Sequence, residues 1–423
     1  MLTVVRHNSP EQARRSEEMR RKRAVSEAQV SEKAQSIISA VETDGWDAVT
    51  RFSLEFDKAA PRAVSRGELE EARARCGADV TGAMEHAARN ILDYQRRLVP
   101  SGAVWEGPDG AKLGQLVRPL GCVGMYVPGG TAAYPSSVLM NACPAKAAGV
   151  ERLIMVTPPT RFLKDEVLAA ALIAGVDEVY AVGGVQAVAA LAFGAGPVSA
   201  ADKIVGPGNA YVQAAKRILY GRIDIDMTAG PSEVLVLADA SADPGNIAAD
   251  LLSQAEHDVL AACYLVTTDE KLALAVNEQL SAQIARLSRS EIARISLADF
   301  GTAFICEDLD ECADCANALA PEHLELMVSD PDALIPKIRN AGALFVGAWT
   351  PEPVGDYIAG PSHVLPTAGT ARFFSPLSAL SFVKYISYIE YDRESFSKHA
   401  EKAALMADSE GLDAHAASIR RRL

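Results

Sequence analysis

From residue 121 onward the chain alternates between short apolar runs closed by Gly or Pro and stretches of helical periodicity, and few folds tolerate that rhythm. The runs are Gly121–Val127, Arg152–Val156, Glu178–Val182 and Lys203–Val205. Between them lie helical stretches at 137–148, 165–174 and 185–193. Short strands joined through helices predict parallel βαβ units, hence an α/β fold. A second alternation opens at Glu233–Ala238 and continues through Tyr264–Thr267, Thr302–Cys306 and Ala343–Val346. Two units fit the length: 423 residues exceed the about 250–300 at which a single core stops growing. No flexible linker separates them, so they are expected to be closely apposed, with the cleft between them as the ligand site.

Residues 9–40 are charged and helix-prone, suited to a solvated arm or a partner contact. Residues 66–98 are a further helical stretch, and Gly411 divides a helical tail that starts near Ser395. The formal net charge of −14 without a basic run excludes nucleic acid and anionic membrane as natural partners. No apolar run approaches the roughly 18 residues of a membrane span. The opening Met1–His7 is too short and polar for a signal peptide. Seven scattered cysteines suggest no disulfide framework, and a reducing, cytoplasmic location is expected.

Four polar clusters could carry chemistry. The first closes the stretch Asp250-Leu-Leu-Ser-Gln-Ala-Glu-His257. Asp243 can cap this helix, Pro244 suits its first turn, and Ile247, Ala248, Leu251, Leu252 and Ala255 form an apolar stripe. Gln254 and His257 lie three apart at the stripe edge, a possible metal pair. The second cluster is Pro321-Glu322-His323, two adjacent bases of different ordinary pKa, able to activate water and accept an alcohol proton. The third is the Gly- and Pro-bounded loop from Gly355 to His363, in which Asp356 is a hard metal ligand candidate. The fourth is Glu410–His415 near the C-terminus, which would reach a cleft only by folding back or crossing to a second subunit.

Gly129-Gly130, Gly183-Gly184 and Gly206-Pro-Gly208-Asn209 each follow an expected strand and could present backbone N–H groups to a phosphate or carboxylate. None matches G-x-G-x-x-G, so the residues alone establish no nicotinamide cofactor. Cys312-Ala-Asp-Cys315 has redox or zinc-pair spacing but no second pair, and its Ala-rich flank favours a buried, inert face.

In order and spacing these stretches resemble the histidinol dehydrogenase family along nearly the whole chain. The resemblance is carried by 126–130, 134–140, 204–209, 229–233, 250–257, 320–325 and 355–367. It implies two Rossmann-like parallel-sheet domains with an N-terminal helical arm (1–21) and a C-terminal helical tail (377–423) swapped in a homodimer with shared active sites. The first domain would comprise 22–124 and 232–376, and the second, NAD-binding, 125–231. The implied reaction is oxidation of L-histidinol to L-histidine with two NAD through a bound aldehyde, with one Zn2+ per subunit. By position, Gln254, His257, Asp356 and His415 resemble the zinc ligands, with His415 supplied across the dimer. Glu322 and His323 resemble the catalytic pair. Ser232, His323 and Glu410 resemble substrate contacts, joined by the zinc ligands. Tyr126, Gln186 and Asn209 resemble cofactor contacts. The chain departs from the family pattern at Cys122, Ser362, Val259-Leu260 and Ala379-Leu380. A dehydrogenase for another amino alcohol or diol, or a zinc hydrolase, are the rival readings.

Overall fold

The structure is a computed structural model, and it describes residues 1–23, 27–129, 134–159 and 163–423. Gly130, part of the first glycine pair, lies outside the described residues. Two six-stranded sheets organise the chain. Sheet I runs Thr3–Arg6, Thr302–Ile305, Ala262–Thr267, Glu233–Ala238, His323–Met327, Ala343–Val346 in spatial order, parallel throughout. Sheet II runs Arg62–Val64, Glu178–Ala181, Arg152–Thr157, Cys122–Tyr126, Lys203–Val205, Asp224–Ile225, and only its first strand is antiparallel. The interior strands of both sheets are buried on both faces, which explains their unbroken apolar character.

In each sheet the strand order reverses at one point. In sheet I the reversal lies between Glu233–Ala238 and His323–Met327, and in sheet II between Cys122–Tyr126 and Lys203–Val205. The chain leaves the carboxyl end of Asp224–Ile225 and enters the amino end of Glu233–Ala238 after seven residues, 226–232. Seven residues reach at most about 25 Å. The carboxyl edge of sheet II is therefore tied close to the amino edge of sheet I.

The helices before residue 100 pack differently from expectation. Segment 22–124 packs chiefly on sheet II, not on the sheet of 232–376. Ile37, Ile38, Val41 and Val49 share a core with Val188, Leu191 and Val212, while Met84, Ala88 and Ile91 share one with Val138, Leu139 and Met140. The reason is coverage: a mainly parallel sheet must be covered on both faces, and sheet II uses these helices with its own crossovers. The N-terminus is also more than a helical arm. Thr3–Arg6 is the edge strand of sheet I, and the helix Pro10–Arg23 follows it.

A three-stranded antiparallel sheet, Ala103–Glu106, Lys112–Pro119 and Val383–Glu390, was not evident from sequence. Its outer strands lie far apart in the chain, so no local pattern announces the pairing. Beyond it, Gly411 separates the tail helices Arg393–Ser409 and Asp413–Arg420. No helix among the described residues is long and apolar enough to cross a membrane.

One buried ion pair holds the loop at the switch point of sheet II. Lys216 and Asp226, both almost wholly inaccessible, pair directly. Lys216 Nζ also donates to the Gly206 carbonyl at 3.0 Å, and Asp226 Oδ2 accepts from Gly206 N at 2.8 Å. Gly206 has φ +108°, and a Cβ there would collide with the Tyr126 carbonyl, so only glycine lets the loop cross this close to the strand. Lys216→Met keeps the bulk but leaves Asp226 buried without its cation. It is expected to cost about 3–5 kcal/mol, read as a lowered urea midpoint by far-UV circular dichroism.

Candidate active site

The strand His323–Met327 was unassigned in the sequence, where Pro321-Glu322-His323 could open either a helix or a strand. It starts beside the amino end of Glu233–Ala238, with His323 opposite Val234. The register sets the backbone of Glu233 against both proposed bases. Glu233 N–H donates to Glu322 Oε2 at 2.9 Å, and the Glu233 carbonyl meets His323 Nδ1 at 3.0 Å. A carbonyl only accepts, so Nδ1 carries a proton, and in the neutral ring the lone pair falls on Nε2. That Nε2 is buried without a hydrogen-bond partner. It stands 3.7 Å from Asp356 Oδ1 and 3.8 Å from Glu352 Oε1, with the ring tilted against Phe345.

The helix Pro244–Ala255 follows the strand Glu233–Ala238 and runs back along sheet I, so its carboxyl end returns to the same amino edge. Asp243 caps it by accepting from Gly245 N, and the expected stripe is buried. Gln254, in the last turn, is buried with neither amide atom hydrogen-bonded. His257 follows in the next turn, its N–H on the Gln254 carbonyl at 3.1 Å, and remains accessible. The short helix Glu352–Tyr357 supplies the opposite wall. Glu352 and Asp356 are four apart and face the same way. Donor atoms of His257, Glu352 and Asp356 all lie within 4.8 Å of one another.

The electrostatics follow from crowding carboxylates out of water. Burial raises Glu322 to about 7, against the pull of His323 and the Glu233 N–H. Burial likewise raises Glu352 to about 8 and Glu325 to about 9, and Asp250, beside Glu325, to about 6. Glu325 Oε1 accepts from Glu352 N at 2.7 Å, and Ser253 Oγ donates to Glu352 Oε2 at 2.9 Å. For His323, burial opposes charge, but Glu322, Asp356 and Glu352 outweigh it and push the ring up to about 10. Burial would raise Asp356 too, yet His323 and His363 hold it at about 2. Burial lowers His257 and His363 below the ordinary imidazole value, although Asp356 pulls both the other way.

The cluster is rich in negative charge. The orphaned Gln254 amide, the accessible His257 ring and the Asp356 carboxylate are nitrogen and oxygen donors of the kind zinc takes. These residues fit a divalent cation. Glu352 belongs to the same cluster and was missed in the sequence, although its i, i+4 spacing from Asp356 was a legible sign. His363 is buried, feels Asp356, His323 and His257, and has an unpartnered Nε2.

Tyr126, Gln186 and Asn209 lie at the facing edge, beyond the carboxyl ends of sheet II strands. The switch point between Cys122–Tyr126 and Lys203–Val205 lies there, the place where open α/β sheets commonly bind ligands. Tyr126 OH accepts from Gly184 N at 3.2 Å, in the turn that opens the helix Gly184–Phe193. Gln186 is buried with both amide atoms unpartnered, which fits a polar ligand group. Asn209 Oδ1 caps the helix Ala210–Leu219, accepting from Tyr211 N and Val212 N. Ser232 ends the connector between the two edges, and its carbonyl accepts from Ala262 N. The loop after Asp356 runs across to the helices of sheet II: Asn90 Nδ2 donates to the Ile358 carbonyl, and Ser362 Oγ to that of Met140.

Gln254, His257, Glu322, His323 and Asp356 therefore converge within one chain. Glu410 and His415 do not. Both are exposed on the tail, whose first helix packs on the second and on the 108–110 turn.

The family model for histidinol dehydrogenase matches residues 20–423. Histidinol dehydrogenase of Moorella thermoacetica is 51% identical over 397 residues, covering 92% of this chain and 93% of its own length. That of Bacillus subtilis is 48% identical over 391 residues, 92% of each. The crystal structure of histidinol dehydrogenase from Elizabethkingia anophelis superposes with a TM-score of 0.93 at 33% identity, covering 100% of this chain and 98% of that one. The match runs through the strands and loops that carry the cleft, and the chain belongs to the histidinol dehydrogenase family.

Proposed function

We propose that this chain oxidises L-histidinol to L-histidine with two NAD, using Glu322 and His323 as its proton-handling residues. The observation that carries the reading is the placement of these two bases at one strand end, against the His257, Asp356 and Gln254 donor set. Gln254, His257 and Asp356 would hold zinc, which when bound serves as a template for the substrate's imidazole and amino group. NAD, beside Tyr126, Gln186 and Asn209, would accept the two hydrides.

His323 Nε2 is the base for the alcohol proton. Its Nδ1–H is occupied by the Glu233 carbonyl, which orients the ring and leaves Nε2 to the substrate. A cation among the neighbouring carboxylates weakens their support for a charged ring, favouring the neutral form that a base needs. Glu322 is anchored through Oε2 by the Glu233 N–H. Its other oxygen is left to take a proton from water attacking the aldehyde, and a pKa near 7 suits that role. Ser232 stands next to Glu233 and is placed to touch substrate. Keeping the aldehyde in the cleft until the second hydride leaves avoids a reactive free product.

Glu410 and His415 would complete the site from a second copy of the chain. The tail sheet and first tail helix expose Trp105, Ile386, Ile389, Leu405 and Met406, an apolar surface that a homodimer would cover. In that arrangement His415 of the partner subunit would be the fourth zinc ligand. A cytoplasmic location fits the reduced cysteines.

With limiting histidinol and excess NAD, the zinc-loaded protein is expected to form two NADH per histidinol, followed by absorbance. One NADH with free aldehyde accumulating would refute the four-electron reading. In Glu322→Gln the second oxidation should fall at least about 100-fold with the first largely kept. For the native chain the second step should decline as pH drops below about 7, where Glu322 gains its proton and ceases to be a base. That acid limb should vanish in Glu322→Gln. Glu322→Gln and His415→Ala chains, each defective in forming histidine, should recover part of the native rate of histidine formation when mixed so that subunits exchange. Exchange without recovery would place His415 outside the shared site.

A further inference from the structure

Glu325 closes the stretch Ala320–Glu325 but has no part in the chemistry assigned to its neighbours Glu322 and His323. It lies in the middle of an interior strand of sheet I, opposite Val236 on one side and Phe345 on the other, and is 1% exposed. A carboxyl group in such a place loses its water and is costly unless hydrogen-bonded. Its partner comes from the opposite wall of the cleft: Glu325 Oε1 accepts from Glu352 N at 2.7 Å, a buried bond. Glu352 opens the helix Glu352–Tyr357, and Pro351 before it makes no side-chain cap. The first N–H groups of a helix have no carbonyl four residues back to receive them. Pro353 has no N–H to place, and that of Val354 turns back to the Pro351 carbonyl at 3.0 Å. The Glu352 N–H is left to Glu325, which caps the helix from a strand 27 residues away in the chain.

We propose that Glu325 is a positioning residue for Asp356: by holding the start of the helix Glu352–Tyr357 against the strand His323–Met327, it keeps the Asp356 carboxylate beside His257. The role rests on the reading of Asp356 as a zinc ligand. A helix of six residues is too short to hold its own shape in water, so where its side chains stand depends on what grips it. Glu325 and His323 are two apart on one strand and project from the same face. The strand therefore meets the helix twice, at the Glu352 N–H through Glu325 and at Asp356 Oδ1, 3.7 Å from His323 Nε2. The helix Pro244–Ala255 adds Ser253 Oγ, which donates to Glu352 Oε2 at 2.9 Å. That bond holds a side chain, whereas Glu325 holds the backbone from which Asp356 extends one turn later. Burial keeps the Glu325 carboxyl protonated at neutral pH. It therefore accepts as a neutral group, and an amide oxygen at the same reach reproduces it.

Two substitutions separate this role from mere support of the fold. Glu325→Gln keeps an acceptor for the Glu352 N–H, and Glu325→Met keeps the bulk without one. Cobalt(II) affinity of the chelator-stripped, full-length chain, followed by the visible bands of the bound ion, should stay native in Glu325→Gln and fall about 10- to 100-fold in Glu325→Met. In the Asp356→Ala background the Met substitution should cost no further affinity, because the ligand it misplaces is already gone. A general weakening of the fold would repeat its cost there. Amide exchange in the metal-free chain is a second readout: the Glu352 N–H should exchange slowly in the native and Gln chains and fast in the Met chain. Native affinity in Glu325→Met overturns the proposal, as does equal weakening in Glu325→Gln or a repeated loss in the Asp356→Ala background. Fast exchange of the Glu352 amide in the native chain, which needs no variant to fold, overturns it too. Cobalt affinity indifferent to Asp356→Ala overturns the zinc reading, and this role with it, even where the exchange shows the cap intact.

Discussion

The cleft is governed by an excess of buried negative charge. Asp250, Glu322, Glu325, Glu352 and Asp356 crowd the amino edge of sheet I around His323. Carboxylates taken out of water and set side by side cannot all ionise. Some must hold protons, which burial enforces on Glu325 and Glu352, or a cation must join them. The neighbouring groups are arranged for the second outcome: Gln254 arrives with an unused amide, and His257 with an accessible ring. The same excess sets the proton affinities of Glu322 and His323, so metal affinity and base strength are linked through one field.

The position of that charge follows from how the two sheets are joined. Open parallel sheets usually bind ligands beyond the carboxyl ends of their strands, and the proposed cofactor contacts Tyr126, Gln186 and Asn209 stand at that end of sheet II. Sheet I places its chemistry at the amino ends. The connector 226–232 is short, so this is the edge that faces the carboxyl edge of sheet II. The helix Pro244–Ala255 then runs against the strands and delivers Gln254 and His257 there. In this arrangement a cofactor on one sheet and the proposed proton-handling residues on the other would meet across the gap. The Lys216–Asp226 pair and the close crossing at Gly206 keep the loop at the switch point of sheet II in shape.

The amino edge of sheet I gathers nitrogen and oxygen donors, the kind a catalytic zinc takes.

Local pattern determined a good deal of this protein. The parallel strands after residue 121 were legible as apolar runs because their residues are buried on both faces. The capped helix Pro244–Ala255 was legible because Asp243, Pro244 and the stripe are all local features. The family motifs named the residues that converge in the cleft. Tertiary structure alone decided what depends on distant partners. It allotted residues 27–98 to sheet II, since helical amphipathicity shows that a face is buried but not against what. It revealed the antiparallel sheet, whose pairing joins Val383 to Pro119 and Glu390 to Lys112 across most of the chain. It brought Glu352 to His323, and it placed a proton on His323 Nδ1 through a backbone carbonyl 90 residues away. Periodicity and capping act within a few turns of chain, whereas the charge field of the cleft exists only once separate elements exclude water together.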